Sequence, residues 1–140
     1  MKHIVLTFPT GIAVKAEVLA SEHDLAADLL GRLEKTQELV CNHLVTAGKI
    51  FDAYMRPDKE PVAAPKGNHP VAYQKLASGD ILWDGEKLSV VYGELNLPGT
   101  AGCVVAHVNP DAAFDKACKF VWYDLFREHT VTLITASKED

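Results

Sequence analysis

The chain has 140 residues, which is enough for one domain with a real hydrophobic core and too few for a second domain to be expected. Its formal net charge of -5 includes no dense run of lysine and arginine, which argues against a nucleic-acid-binding surface. The first apolar run is too short for a signal peptide, and no later run approaches the length of a membrane span. We therefore expect one cytoplasmic domain over residues 1–136, with a charged tail over 137–140 and no contact with nucleic acid or membranes.

The elements of the first half follow from apolar runs and turn residues. The predicted order is strands at about 2–8 and 12–20, a helix at about 22–38, and strands near 40–46 and 49–55. Ser21 and Asp24 resemble a capping box before leucines at four-residue spacing, which indicates where the helix begins. Gly48 interrupts the β-branched and aromatic stretch and divides it into two strands.

The second half contains the longest predicted loop, over residues 56–70, which hold four prolines and few large apolar side chains. A hairpin over 78–95 and a turn-rich connection come next, and the run from Cys103 to Val108 then predicts a short buried strand. A second helix is expected with Asn109 as its cap, Pro110 as its first residue and an apolar stripe of Phe114, Cys118, Val121 and Leu125. A last strand precedes the tail.

The hairpin is the most informative stretch. A two-residue Asp-Gly turn pairs Trp83 with Glu86 and places Ile81 opposite Leu88. The two-residue period of a strand then puts one row on an inward face: Ile81, Trp83, Glu86, Leu88, Val90, Tyr92 and Glu94. The last member is a carboxylate, which is either solvated at the edge of the sheet or points into a cavity where it needs partners.

Seven or eight short strands with two helices predict a mainly β protein. We expect a closed β-barrel capped by the helices, because closure removes the unpaired edges that so many short strands would otherwise expose.

The order of the elements resembles the cyclophilin-like barrel and, more narrowly, a group of small bacterial proteins of uncharacterised function with that barrel. The resemblance covers about residues 1–136, and its most specific parts are "NHLVTAGKIF" and "GDILW...VVYGE". It implies a pocket at the barrel. Active cyclophilins carry an arginine directly after a Phe-His pair on the strand that follows the first helix, whereas His43 is followed here by Leu44. Arg56 begins the long loop and could reach a pocket, but its position does not match, so peptidyl-prolyl cis-trans isomerisation is a disfavoured alternative.

Several polar and aromatic residues are candidates for a pocket at one mouth of the barrel. His43 could act as an acid, a base or a hydrogen-bond donor, and Glu94 offers a carboxylate, so these two are the candidate catalytic residues. The candidate binding residues are Tyr54, Trp83, Tyr92 and Asn96. Most of these candidates also have an ordinary structural interpretation. His43 could be a strand histidine bonded to a carbonyl, Glu94 could be a solvated carboxylate at the rim, and the aromatic candidates could belong to the core.

Cysteine and histidine spacing gives no sign of a metal or a disulfide framework. The three cysteines are an odd number without metal-type spacing, so we expect reduced and mostly buried thiols: Cys41, Cys103 and Cys118. The histidines that could act as ligands are scattered, at His43, His69 and His107, and we expect neither a metal nor another cofactor. Cys41 and His43 lie two residues apart, so they share a strand face, and a thiolate-imidazole pair is a minor alternative.

Two classes of function fit this pattern. The first is a small-molecule enzyme or binding protein with a polar pocket at one mouth of the barrel. The second is a peptide- or protein-binding module that keeps an open groove without catalysis. A carboxylate on the inward row favours the first class, with a small polar ligand as the partner. A short peptide as partner, a homo-oligomer and the presence or absence of catalysis stay open at this point.

Overall fold

The computed structural model describes residues 2–44, 46–55 and 65–140. Within these residues the chain forms ten strands and two α-helices. The strands are β1 (His3–Thr7), β2 (Ala13–Val18), β3 (Gln37–His43), β4 (Gly48–Met55), β5 (Val71–Ala72), β6 (Asp80–Trp83), β7 (Lys87–Leu95), β8 (Thr100–Gly102), β9 (Val104–Val108) and β10 (Leu133–Glu139), and the helices are α1 (His23–Arg32) and α2 (Ala112–Phe126).

Eight of the strands form a closed antiparallel barrel in the order β1-β10-β3-β4-β7-β6-β9-β2. β1 pairs with β2 on one side and with β10 on the other, which closes the sheet. The predicted fold class, a mainly β closed barrel with two helices, is confirmed. β5 and β8 form a separate two-stranded sheet that the sequence did not predict.

The apolar members of the predicted inward row are buried, whereas Glu86 and Glu94 are exposed, and the register is not as predicted. Leu88 and Val90 are fully buried in the barrel core, and Tyr92 is 5% exposed. Trp83 faces Leu88 and not Glu86, because the Asp84 carboxylate accepts hydrogen bonds from the backbone N–H groups of Glu86 and Lys87 and holds a four-residue connection. The prediction that Ile81 lies opposite Leu88 is therefore wrong, since Ile81 faces Val90. A shift of two residues keeps the paired side chains on their face, so Ile81, Trp83, Leu88, Val90 and Tyr92 still point inward, while Glu86 falls in the exposed connection.

The two helices close opposite ends of the barrel. α1 packs on β6 and β9, where the Trp83 Nε1–H donates to the Asp28 carboxylate at 2.9 Å. α2 packs on β3, β4 and β7. Tyr92 lies four residues along β7 from the partner of Trp83, which corresponds to ~13 Å along the strand. The α1 end and the α2 end are thus separate environments.

A second apolar cluster lies outside the barrel. Ala47, Ile50, Leu82 and Val91 are buried, and half-buried residues of the segment around β8, including Ala101, pack on them. Because Val91 is covered on this outer side while Val90 and Tyr92 face the interior, β7 is buried on both faces along its middle.

The element ends differ from prediction for local reasons. α1 lacks a side-chain cap, since its N-cap is Glu22, whose buried carboxylate accepts hydrogen bonds from the backbone of Asn68 and His69. The cap of α2 is Asp111, which accepts from the Phe114 N–H at 2.8 Å, and not Asn109.

The last strand, β10, continues through Glu139, which pairs with His3. Most of the predicted tail over 137–140 therefore belongs to the barrel wall. Much of the predicted long loop, Arg56 included, lies outside the described residues. In the part of the chain that the structure describes, no helix combines the length and the apolar character that a membrane crossing needs.

Two glycines give a matched test of the backbone around Tyr92. Gly48 has φ +106°, and a Cβ there would overlap the backbone of Glu94 and Leu95, whereas Gly99 has φ +89° and open space around it. Gly99→Ala should lower the free energy of unfolding by about 1 kcal/mol, the cost of positive φ. Gly48→Ala should cost a further 1–3 kcal/mol or so, because β4 and β7 must move apart. Urea denaturation measures both, and equal losses would contradict this packing.

Candidate functional site

A groove of about 650 Å³ lies between α2 and the barrel wall, and we call it the α2 groove. Its volume falls within the range of ordinary ligand pockets. The lining residues come from β3, β4, β7 and α2 and their connections: His43, Gly48, Lys49, Tyr92, Asp115, Lys116, Lys119, Phe120, Trp122 and Tyr123. Two of the predicted site residues, His43 and Tyr92, are among them.

His43 and Tyr92 form a hydrogen-bonded pair in the groove. The His43 Nε2 lies 2.6 Å from the Tyr92 Oη, and the rings meet edge to face at 5.7 Å. His43 ends β3 and pairs with Phe51 on β4, which in turn pairs with Val90, two residues before Tyr92 on β7. Cross-strand register and the shared inward face therefore bring the two rings together although they are 49 residues apart in sequence.

Burial keeps this pair uncharged. It lowers the pKa of His43 from 6.5 to about 4, so the imidazole is neutral at pH 7. Burial also raises the pKa of Tyr92, so the phenol stays protonated. The His43 Nδ1 is buried and has no hydrogen-bond partner among the described residues. A neutral imidazole and a phenol can each donate one hydrogen bond and accept another, so beyond their mutual bond each retains capacity for a polar group of a ligand.

Aromatic side chains form the outer wall of the groove. Phe120 is half-buried, while Trp122 and Tyr123 are 39% and 43% exposed. Trp122 packs on Phe126 at 5.8 Å between ring centroids, and Phe126 meets His43 edge to face at 6.4 Å. The wall thus continues inward to the His43–Tyr92 pair, and it presents apolar surface that a ligand ring could cover.

Tyr54 does not share this groove. His43 and Phe51 are cross-strand partners on the inward face, whereas Tyr54 is three residues from Phe51 and pairs with Val40 on the outer face. There the Lys87 ammonium lies 5.7 Å from its ring centroid. The expectation that His43 and Tyr54 share a pocket is wrong, because an odd spacing on a strand puts two side chains on opposite faces.

Glu94 and Asn96 are exposed at the end of β7, and neither lines the α2 groove. The register of β4 and β7 shifts between Gly48, which faces Leu95, and Ile50, which faces Val91. This bulge ends the regular alternation after Tyr92, so Glu94 does not continue the inward row. The Asn96 N–H donates to the Ala47 carbonyl at 2.7 Å, a backbone contact that fixes the turn. Binding roles for Glu94 and Asn96 stay predictions.

Trp83 lies at the α1 end, away from His43. Beside its hydrogen bond to Asp28, it lines a separate small cavity of about 120 Å³. This cavity also contains the buried Asp52, which accepts a hydrogen bond from Ser89 at 2.7 Å and pairs with Lys87 at 3.4 Å. The six candidate residues thus occupy several places, and only the His43–Tyr92 pair joins two of them directly.

The thiol and metal alternatives receive no support from the geometry. All three cysteines are free and buried, and burial raises the pKa of Cys41 to about 12, which disfavours a thiolate beside His43. Burial likewise raises the pKa of Cys118. His107 pairs with Asp80 at 2.8 Å on β9, which lies four strands around the barrel from the β3 strand of His43. Across residues 2–44, 46–55 and 65–140, no group of three potential ligands could hold a metal ion.

Sequence reasoning missed most of the groove residues. The apolar stripe of α2 predicted its buried side, with Phe114 and Cys118. It gave no prediction for the neighbouring side of the helix, which lines the groove. The signal was present, since Phe120, Trp122 and Tyr123 occur within four residues, more aromatic surface than one buried stripe can cover. Lys49 was missed because its place beside Tyr92 depends on the bulge.

No protein-family model matches the chain, and no curated protein matches it. Among solved structures, the chain is similar to the structure of McbB in complex with tryptophan, with a TM-score of 0.84 and 19% sequence identity. The alignment covers 96% of this chain and 44% of that chain, so the present chain spans less than half the length of McbB. At this level of identity, the similarity shows the barrel fold alone.

The buried imidazole predicts a pH dependence of stability. Its folded pKa of about 4 lies below the ordinary 6.5, so between these values the unfolded state binds a proton that the folded state does not. The contribution of His43 to the free energy of unfolding is therefore complete above pH ~6.5 and is lost as the pH falls to ~4. Between these values the free energy of unfolding falls by up to about 1.4 kcal/mol per pH unit.

Urea denaturation at several pH values should show this slope, and His43→Gln should reduce it, since glutamine does not titrate. NMR of the imidazole C–H groups gives a second measurement that needs no variant. A His43 resonance that titrates near pH 6.5 would contradict the buried neutral state.

Proposed function

We propose that this chain binds a small organic molecule in the α2 groove, at the mouth of the barrel that α2 covers. The observation that carries the proposal is the uncharged His43–Tyr92 pair, held at 2.6 Å in a groove with an outer wall of aromatic side chains and a charged rim. Convergent polar groups within a largely apolar, concave surface are the usual composition of a ligand site. The McbB complex supports the idea that a protein containing this barrel can bind a small aromatic molecule.

The proposal concerns binding and not catalysis. A general base works best when its pKa is near the operating pH, and a pKa of about 4 makes His43 a weak base at neutral pH. Glu94, the other candidate for proton transfer, is exposed and does not line the groove. His43 and Tyr92 are therefore assigned the role of hydrogen-bonding groups for the ligand.

The finer assignment is a cyclophilin-like barrel of bacterial and cytoplasmic type, as the sequence resemblance implies. The closed eight-stranded barrel with two helices supports it. Isomerase activity is not part of the proposal, since no arginine is among the described residues that line the α2 groove. Peptide binding is the competing function, and it predicts that small aromatic compounds do not bind in the groove.

The two tryptophans make a direct binding test. Trp122 lines the groove, and Trp83 lies at the α1 end. Titration with 3-methylindole should give a saturable shift of the Trp122 indole N–H resonance in NMR spectra and leave that of Trp83 unchanged. Trp122→Ala, followed through the Tyr123 backbone amide resonance, should weaken binding by roughly tenfold, about 1.4 kcal/mol, because a ring stacked on the ligand is lost.

The control variant is Tyr73→Ala, which removes an aromatic ring from the small cavity on the other side of the barrel wall and should leave binding unchanged. If 3-methylindole and related aromatic compounds leave the Trp122 resonance unshifted, or shift both tryptophans alike, the proposal is wrong.

A further inference from the structure

The rim of the α2 groove carries more positive than negative charge. Three lysines and one aspartate line it, in a chain whose net charge is -5. Lys119 and Asp115 form an ion pair at 2.7 Å one helical turn apart, so they offset each other. Lys49 and Lys116 are exposed and form no ion pair with the described residues. Two uncompensated ammonium groups thus stand at the edge of the groove.

Lys49 is held at this edge by the shape of β7. Its aliphatic chain lies across Gly93, and a Cβ at position 93 would stand 3.0 Å from the Lys49 Cβ and 3.1 Å from its Cγ. Any side chain at position 93 would therefore push Lys49 away. The bulge that places Lys49 opposite residues 92–94 brings this chain next to Tyr92. The course of the Lys49 aliphatic chain at the groove therefore follows from the bulge and from the absence of a side chain at Gly93.

The apolar wall and the charged rim together define a ligand class. We propose that the ligand of the α2 groove is a small aromatic carboxylate, an inference that rests on the proposed function of the groove. Its ring packs on Trp122 and Tyr123, and its carboxylate lies toward Lys49 and Lys116. The neutral His43–Tyr92 pair donates or accepts a hydrogen bond without adding charge. A cationic ligand would meet two like charges, and a neutral ligand would leave both ammonium groups unused.

Three probes with one ring system separate these possibilities: 3-methylindole is neutral, indole-3-acetate is an anion and tryptamine is a cation. Their dissociation constants are measured at low ionic strength through the Trp122 indole N–H resonance. We expect indole-3-acetate to bind about three- to tenfold more tightly than 3-methylindole, which is the combined effect of two exposed ion pairs, and tryptamine to bind more weakly than both. The preference for indole-3-acetate over 3-methylindole should decrease at high salt, because salt screens exposed charges.

Matched variants test the positions of the charges. Lys49→Gln and Lys116→Gln should each reduce the ratio of the 3-methylindole to the indole-3-acetate dissociation constant about two- to threefold. The control is Lys35→Gln, which removes the same charge just after α1, at the other end of the barrel. Gly93→Ala keeps every charge but displaces Lys49, and it should also reduce the preference.

The outcomes distinguish this inference from the proposed function. If the three probes bind at Trp122 with equal affinity, the groove is a ligand site but the carboxylate assignment is wrong. If Lys35→Gln lowers the preference as much as Lys49→Gln does, net charge and not position is responsible, and the assignment is also wrong. If no probe binds, the proposed function itself fails.

Discussion

The structure depends on the pairing of β1 with both β2 and β10, which closes the sheet into a barrel. Closure removes unpaired backbone edges but leaves two open ends, where apolar interior side chains would meet water. Each helix covers the apolar side chains at one of these ends. α1 covers the end with Trp83, whose indole N–H donates to Asp28, and α2 covers the end with His43 and Tyr92, which hydrogen-bond each other through the His43 Nε2. The helices are therefore required by the closed sheet, and the α2 groove arises where one of them meets the barrel wall.

Much of the barrel was predictable because its strands obey a short local period. Leu88, Val90 and Tyr92 were assigned to the interior correctly even though the register was wrong by two residues, since such a shift preserves the face. The length of an apolar run, its flanking turn residues and its two-residue period are local properties. They were sufficient to predict which consecutive strands form hairpins. The β5–β8 sheet was not predictable, because strands of two and three residues carry too little pattern.

The candidate site was only partly predictable, for reasons visible in particular residues. His43 and Tyr92 were identified one by one, but their contact depends on the register of β3, β4 and β7, which sequence patterns do not determine. Glu94 was misplaced because a bulge interrupts the alternation after Tyr92, and a bulge leaves little trace in one sequence. Lys49 was overlooked for the same reason. Irregular backbone thus decides the places of Glu94 and Lys49, whereas Asp115, Lys116 and Lys119 reach the groove from the regular helix α2.

The α2 end differs from two other parts of the barrel in what covers its apolar side chains. The outer face of β4, β6 and β7 is covered by the second apolar cluster around Ile50 and Val91, and the α1 end is filled by Trp83 and its partners. At the α2 end, the exposed rings of Trp122 and Tyr123 face outward beside a buried polar pair. Exposed aromatic surface has a cost in water, and a buried polar pair has a cost within a core. A ligand that covered the rings and hydrogen-bonded the pair would reduce both costs at once, so the binding proposed at this end should also stabilise the fold.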